Sequence, residues 1–295
     1  MASEANCAML GTMKSGFVVL IGRSNVGKST LMNTLVGTKI AAVTHKPQTT
    51  RQAIHGVLTR PEGQIVFVDT PGVFKDAGGA LTKALTKTVE DSLIGIDAIL
   101  YVADPTRGLG PEERATLAMI RKLVQPKLLV INKSDMPERE KPFVEDYRAL
   151  AEQFTGVFEL SALKARHIEP LIERLYALLP EGEPAYPEGQ KTDLTEYVWV
   201  AEIIREKIFL ATEQEVPYST QVEVDAMEEK NERLVITARI LTTETRYKKM
   251  LIGHGGQKIK EIGIAARREL EAATNKKVYL DLQVAVDPHW VRRLG

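Results

Sequence analysis

The stretch Gly22-Arg23-Ser24-Asn25-Val26-Gly27-Lys28-Ser29 has the spacing G-x-x-x-x-G-K-S, directly after an apolar run and at the start of a helical pattern. Glycines let a backbone approach an anion closely, and the amide N–H groups at a helix start point at it. In that setting Lys28 can reach the terminal phosphates of a nucleotide, and the Ser29 hydroxyl can ligate Mg2+; Asn25, Val26 and Thr30 line the same loop. Asp69-Thr70-Pro71-Gly72 closes a second apolar run. A carboxylate there can hold the metal, usually through water, and the Gly72 amide can meet a γ-phosphate. Asn132-Lys133-Ser134-Asp135 closes a third. Asp135 can accept both N–H donors of the guanine edge, N1 and the 2-amino group, a pair that adenine lacks. Together the three stretches predict a site for GTP rather than ATP.

Placing them side by side requires a particular scaffold. Short apolar runs at 17–21, 64–68, 98–103, 127–131 and 157–160 read as buried strands. Helical patterns occupy 28–36, 80–94, 111–124, 141–153 and 168–179. Such alternation predicts an α/β domain over 16–180, a mostly parallel sheet with helices on both faces. Strand ends then converge on the crevice where open α/β sheets bind ligands. Residues 1–15 read as a disordered lead-in. Pro, Gly and Glu crowd 181–192, which reads as a linker. Beyond it, 193–295 predicts a smaller α+β domain: a helix at 194–211, strands at 220–227 and 233–241, a helical pair over 247–273 and a last strand at 277–286.

That second domain carries its own signal. Gly253-His254-Gly255-Gly256 gives G-x-x-G between two helical segments, and Ile259, Ile262, Ala266, Leu270 and Ala273 recur on one helical face. Helix, glycine loop and basic helix, with two strands before them, is similar to a type II KH domain, in which the loop clamps single-stranded nucleic acid. Lys248, Lys249, Lys258, Lys260, Arg267 and Arg268 can neutralise phosphates around it. From 181 to 245 there are 6 basic and 15 acidic residues; from 246 to 295 there are 11 basic and 5 acidic, a local surplus of six. KH loops often carry Lys or Arg between the glycines, whereas His254 and Gly255 stand here, so the flanking lysines must compensate. Trp290 can either stack on a base or pack against the domain.

The order GRSNVGKS, DTPG, NKSD and Ser161-Ala162, followed by IGHGGQKIKEIGIAARRELE, resembles the Era family of bacterial KH-domain GTPases, within the translation-factor-related P-loop class, over nearly the whole chain. The resemblance implies that Pro47-Gln48-Thr49-Thr50-Arg51 is the first switch. Thr50, or Thr49 if the register differs by one, would join Ser29 and Asp69 at Mg2+, and Lys28, Thr50 and Gly72 would act on the γ-phosphate. Ser161 and Ala162 would offer a backbone N–H to guanine O6. Val73 stands where Ras-type enzymes carry the glutamine that orients water, which implies slow turnover. Arg23 and Arg51 read as solvated loop charges rather than arginine fingers. In some related GTPases the asparagine equivalent to Asn25 helps bind K+, so K+ is a second expected cation. The implied partners are GTP and GDP, small-subunit ribosomal RNA near its 3′ end, and the small ribosomal subunit during its assembly.

Composition narrows the rest. Of 295 residues, 39 are basic and 39 acidic, so overall charge names no partner. The single cysteine, Cys7, allows no internal disulfide and suits a reducing compartment. No run approaches a membrane span and no signal peptide is evident, so a cytoplasmic monomer is expected. Two alternatives stay open: a GTP-gated RNA-binding module in which hydrolysis only resets the switch, and a GTPase whose C-terminal domain binds protein or associates peripherally with a membrane.

Overall fold

Aliphatic and β-branched residues fill the strand runs of the first domain on both faces, which suits strands sandwiched between helix layers. The computed structural model describes residues 13–46, 49–72 and 80–290, with backbone alone for 80–84. Cys7, Pro47, Gln48 and Val73 lie outside the described residues. In chain order the elements are β1 (Lys14–Ile21), α1 (Lys28–Val36), β2 (Ile54–Arg60), β3 (Gly63–Asp69), α2 (Ala80–Asp91), β4 (Ala98–Ala103), α3 (Pro111–Ile120), β5 (Lys127–Ile131), α4 (Val144–Arg148), β6 (Gly156–Glu159), α5 (Glu169–Leu178), α6 (Glu196–Ala211), β7 (Thr220–Lys230), β8 (Arg233–Thr242), α7 (Thr245–Ile252), α8 (Gln257–Thr274) and β9 (Lys277–Val286).

The described residues form two units, the first from residues 13–38, 52–72 and 88–193. Its six-stranded sheet has the order β2-β3-β1-β4-β5-β6. All neighbours are parallel except β2 and β3. Side chains alternate across the pleat. Val19 and Ile21 of β1 pack with Leu117 and Ile120 of α3 and Tyr147 of α4. Val18 and Leu20 are equally buried and point to the other face, where α1 and α5 lie against β1 and β3.

Two elements depart from the sequence reading. Residues 54–60 were not among the expected strands, yet they form β2, the antiparallel edge. The helix expected over 141–153 is only α4 with a short 3-10 turn after it. Pro142 disfavours a helical Lys141, which has φ −122° and ψ 53°. The expected linker, moreover, is docked. Tyr186 N–H donates to Gln64 Oε1 at 2.9 Å, Gln64 Nε2 donates back to the Tyr186 carbonyl at 2.9 Å, and Val57 N–H donates to the Lys191 carbonyl at 2.8 Å. Thr192 bridges antiparallel to Gly56 on β2.

The second unit contains residues 194–290 and also 39–46, 49–51 and 80–87, which fall within the expected first domain. Its sheet is β7-β8-β9, with β7 antiparallel and β9 parallel to β8. The α-β-β-α-α-β order matches the expected type II arrangement. Ile262, Ala266 and Leu270 of α8 join Ile203, Ile204 and Ile208 of α6 in the core. Ile259 is half-buried and Ala273 exposed, so the expected apolar face of α8 stops one turn short.

Residues 39–46 and 49–51 are held within this unit by side chains. Trp199 Nε1 donates to the Lys39 carbonyl at 3.0 Å, and Val43 N–H donates to Glu206 Oε2 at 2.8 Å. Lys46 Nζ donates to the Phe209 and Thr212 carbonyls at the end of α6, where a cation is favoured. Arg51 corrects the expectation of a solvated charge. It is buried, donating to the Thr220 carbonyl at 2.7 Å and the Pro217 carbonyl at 3.2 Å, with its guanidinium 5.1 Å from the Trp290 ring centre. Trp290 is 1 % exposed and donates to the Ser219 carbonyl, which decides for packing over base stacking.

Candidate nucleotide site and nucleic-acid interface

In the first unit the loop from Ile21 to Lys28 turns through left-handed backbone at Asn25 (φ 65°) and Gly27 (φ 99°). Side chains would jam this turn: a Cβ at Gly22 would lie 2.4 Å from the Val102 carbonyl oxygen, and one at Gly27 would lie 2.4 Å from Asn132 Nδ2. A Cβ at Gly72 would press at 2.7 Å on the Ser24 backbone, so the Asp69–Gly72 stretch lies directly against the loop. Lys28 Nζ donates to the Gly22 and Arg23 carbonyls, both at 3.0 Å. Burial pushes the Lys28 ammonium down to about 8, and Asp69 only partly opposes this. Ser29 Oγ donates to Asp69 Oδ2 at 2.5 Å. A hydroxyl and a carboxylate in contact make a hard-oxygen donor set suited to Mg2+.

Asn132 ties the base-binding end to the phosphate end. Its Nδ2 donates to the Val26 carbonyl at 2.9 Å, and its Oδ1 accepts from Ala162 N–H at 2.9 Å. Ser161 Oγ donates to Asp135 Oδ1 at 2.5 Å, fixing one oxygen of the carboxylate that faces the guanine edge in the sequence reading. Thr34 Oγ1 donates to the Ala162 carbonyl at 2.7 Å. Lys133, with φ 63°, donates through Nζ to Asp104 Oδ2 at 2.5 Å. Burial alone would raise the Asp104 carboxyl; Lys133 and two donors from Thr106 override it and hold it below its ordinary value. The structure thus brings together the stretches from Gly22 to Thr30, Asp69 to Gly72, Asn132 to Asp135, and Ser161-Ala162. Thr49 and Thr50 are buried in the 39–51 segment of the second unit, where Thr49 Oγ1 lies 2.7 Å from Thr44 Oγ1.

In the second unit, α7 ends at Ile252 and the chain passes Gly253 (φ 72°), Gly255 (φ 56°) and Gly256 (φ 77°) before α8 begins. A Cβ at Gly253 would lie 2.7 Å from Lys258 Cβ, whereas around Gly255 and Gly256 there is open space. The loop therefore offers bare backbone at a helix start, the geometry that receives phosphates. Beside it a groove of about 350 Å³ runs between α8 and β9. Ile259, Gly263, Ile264, Leu280 and Leu282 make its apolar part, with Lys260, Arg267, Tyr279 and one acid, Asp281, on its lining. Lys248 and Lys249 lie on α7 before the loop and His254 is exposed within it. Lys258 pairs with Glu261 at 3.1 Å. Arg268 is exposed but is not among the groove residues.

Comparison with known proteins agrees with both halves. A family model described as a 50S ribosome-binding GTPase matches residues 17–133, and a KH-domain model matches 215–291. GTPase Era of Halothermothrix orenii is 41% identical over 285 residues, covering 96% of each chain. The chain belongs to the Era family of GTPases. A solved structure of Era with MgGDPNP and nucleotides 1506–1542 of 16S ribosomal RNA has TM-score 0.88 at 38% identity, covering 95% of this chain and 96% of that one. Aquifex aeolicus Era bound to GDP·AlF4− has TM-score 0.88 at 37% identity, with the same coverage.

In this Era-family GTPase the sequence reading missed several residues that build the sites. Asp104 and Glu113 hold Lys133 and Arg23 from distant strands and helices; an acid closing the apolar run 98–103 was the available signal for Asp104. Tyr279, Leu280 and Leu282 lie on a strand that the sequence predicts, and Gly263 on a predicted helix; neither carries a motif. Arg23, expected to be solvated, is buried against Glu113.

Proposed function

We propose that this Era-family GTPase binds GTP with Mg2+ between its loop 22–29 and the Asp69 and Asn132 strand ends, and that its second unit binds small-subunit ribosomal RNA near the 3′ end. On this reading it acts in small-subunit assembly in the cytoplasm. Ser29 and Asp69, in contact at 2.5 Å, would hold the metal, and Mg2+ bound there would supply positive charge to the phosphate oxygens. Lys28 needs little movement to exchange the Gly22 and Arg23 carbonyls for phosphate oxygens, whose charge keeps its amine protonated. Asp135, oriented by Ser161, accepts the two guanine donors. Asn132 keeps the phosphate and base ends in register. Asn25, in left-handed backbone on the same loop, would be the residue to hold K+. Equal turnover in KCl and NaCl would remove K+ from the scheme.

The observation that carries the RNA half is the glycine loop 253–256, opening into α8 beside an apolar groove edged by Lys260 and Arg267. Single strands are gripped this way, with phosphates on the loop and bases along the groove. The similarity of the whole chain to the Era bound to nucleotides 1506–1542 of 16S ribosomal RNA supports the same partner.

Two titrations test the reading. A fluorescent GTP analogue is competed with GTP and ATP, for parent and Asp135→Asn; GTP competes, ATP does not, and the variant loses roughly 10²-fold in guanine preference, the worth of two charge-assisted hydrogen bonds. Binding of an RNA with the 3′-terminal small-subunit sequence is compared for parent and Gly253→Asp, and falls to background in the variant. Unchanged RNA affinity in a folded Gly253→Asp protein sinks the RNA half alone.

A further inference from the structure

We propose that Arg23 and Glu113 are positioning residues for Lys28, holding the phosphate loop from behind; the inference rests on the nucleotide site described above. Arg23 is the second residue of the loop, and its two ends do different things. Its carbonyl, with that of Gly22, accepts from Lys28 Nζ at 3.0 Å. Its side chain leaves the loop and meets Glu113 in the first turn of α3, where Nη1 donates to Oε2 at 3.2 Å and Nε lies 2.6 Å from Oε1 as an ion pair without hydrogen-bond alignment. Both side chains are almost wholly buried, 8 % and 2 % exposed. Arg23 Nε and Nη2 and Glu113 Oε1 are buried with no hydrogen-bond partner among the described residues, so the Nη1 hydrogen bond and the ion pair with Glu113 are the anchor of this guanidinium.

α3 is itself firmly set. Pro111 opens it, Arg114 N–H closes its first turn onto the Gly110 carbonyl at 3.1 Å, and Leu117 and Ile120 are buried. Glu113 therefore transmits a fixed position to the Arg23 backbone. A buried ion pair is poorly explained by stability alone, because apolar residues of similar volume usually serve a fold as well. A buried ion pair with one hydrogen bond ties the Arg23 side chain to α3, and the orientation at stake is that of the carbonyl cradle for Lys28. With the pair gone, the peptide at Arg23 can turn and the lysine loses its aim.

The test uses the full chain in three forms: parent, the double variant Arg23→Met/Glu113→Leu, and the interchanged pair Arg23→Glu/Glu113→Arg. Thermal unfolding establishes that each is folded. Parent binding of the fluorescent GTP analogue tests the nucleotide site itself, so failure there is separate from failure of this inference. The apolar double variant should bind about 10–100-fold more weakly, the scale of a misplacement of about 1 Å. Its Lys28 amine should also be acylated faster at pH 8 in the nucleotide-free protein, a change that a merely structural pair would not produce. Partial recovery of affinity by the interchanged pair supports the assignment. Parent-like affinity and parent-like Lys28 acylation in a folded apolar double variant overturn it.

Discussion

Lys28 shows how one residue's surroundings set its chemistry. An amine with no water around it resists its charge, and Lys28 is pushed to about 8 from an unfolded value of 10.5. The sign follows directly. Below pH 8 both folded and unfolded states carry the proton and stability has no slope from this group. Between pH 8 and 10.5 the unfolded state binds more protons, so stability of the nucleotide-free protein rises with pH, by up to about 3 kcal/mol. Comparing unfolding free energies of parent and Lys28→Met across that window isolates the term; parallel curves would refute it. GTP affinity should weaken over the same window, because a neutral amine offers the phosphates no charge. The motif residues were legible in the sequence because their spacing alone carries the chemistry. Arg23 and Arg51 were not: their partners, Glu113 and the Thr220 carbonyl, lie 90 and 169 positions away, and nothing local distinguishes a buried guanidinium from a solvated one.

Among the elements, the turn between α7 and α8 is the most demanding. Gly256 adopts φ 77° with open space around it, so Gly256→Ala suffers backbone strain without a clash. A cost of about 1–2 kcal/mol is expected, read as a lower unfolding midpoint. RNA affinity should fall further than stability, because a methyl group then stands on the bare backbone that phosphates approach. Gly263→Ala on α8, also in open space but without positive φ, serves as the control for stability. The long, strongly patterned elements were readable from sequence, including every strand of the second unit. β2 was not, because Gly56 and the polar His55, Thr59 and Arg60 break its apolar pattern; its burial comes from pairing with β3 and from the docked 186–192 segment. The shortening to α4 turns on Pro142, a signal present in the sequence that the apolar spacing of 141–153 outweighed.

At the scale of the whole molecule, chain order and packing diverge. Residues 39–51 follow α1 in sequence but pack with the second unit, with Arg51 lying against Trp290 near the far end of the chain. Trp290→Ala should therefore destabilise by about 3–5 kcal/mol and loosen the residues around Arg51 from their seat. Limited proteolysis would read this as faster cleavage within 39–51, and direct loss of an RNA contact is not expected. If RNA affinity fell while unfolding and cleavage stayed at parent values, Trp290 would be a stacking residue after all.

The 186–193 segment also has a colloidal consequence. The open edge of β2 is a row of unmet donors and acceptors of the kind that templates association between chains. Here Lys191 and Thr192 occupy part of that row, and Asp193 Oδ1 accepts from His55 N–H at 2.9 Å. The connection between the units thus doubles as a seal on the first. A protein truncated at residue 180, where the sequence pattern ends, would bare the strip and should form oligomers with concentration by light scattering. One truncated at residue 193 should stay dispersed.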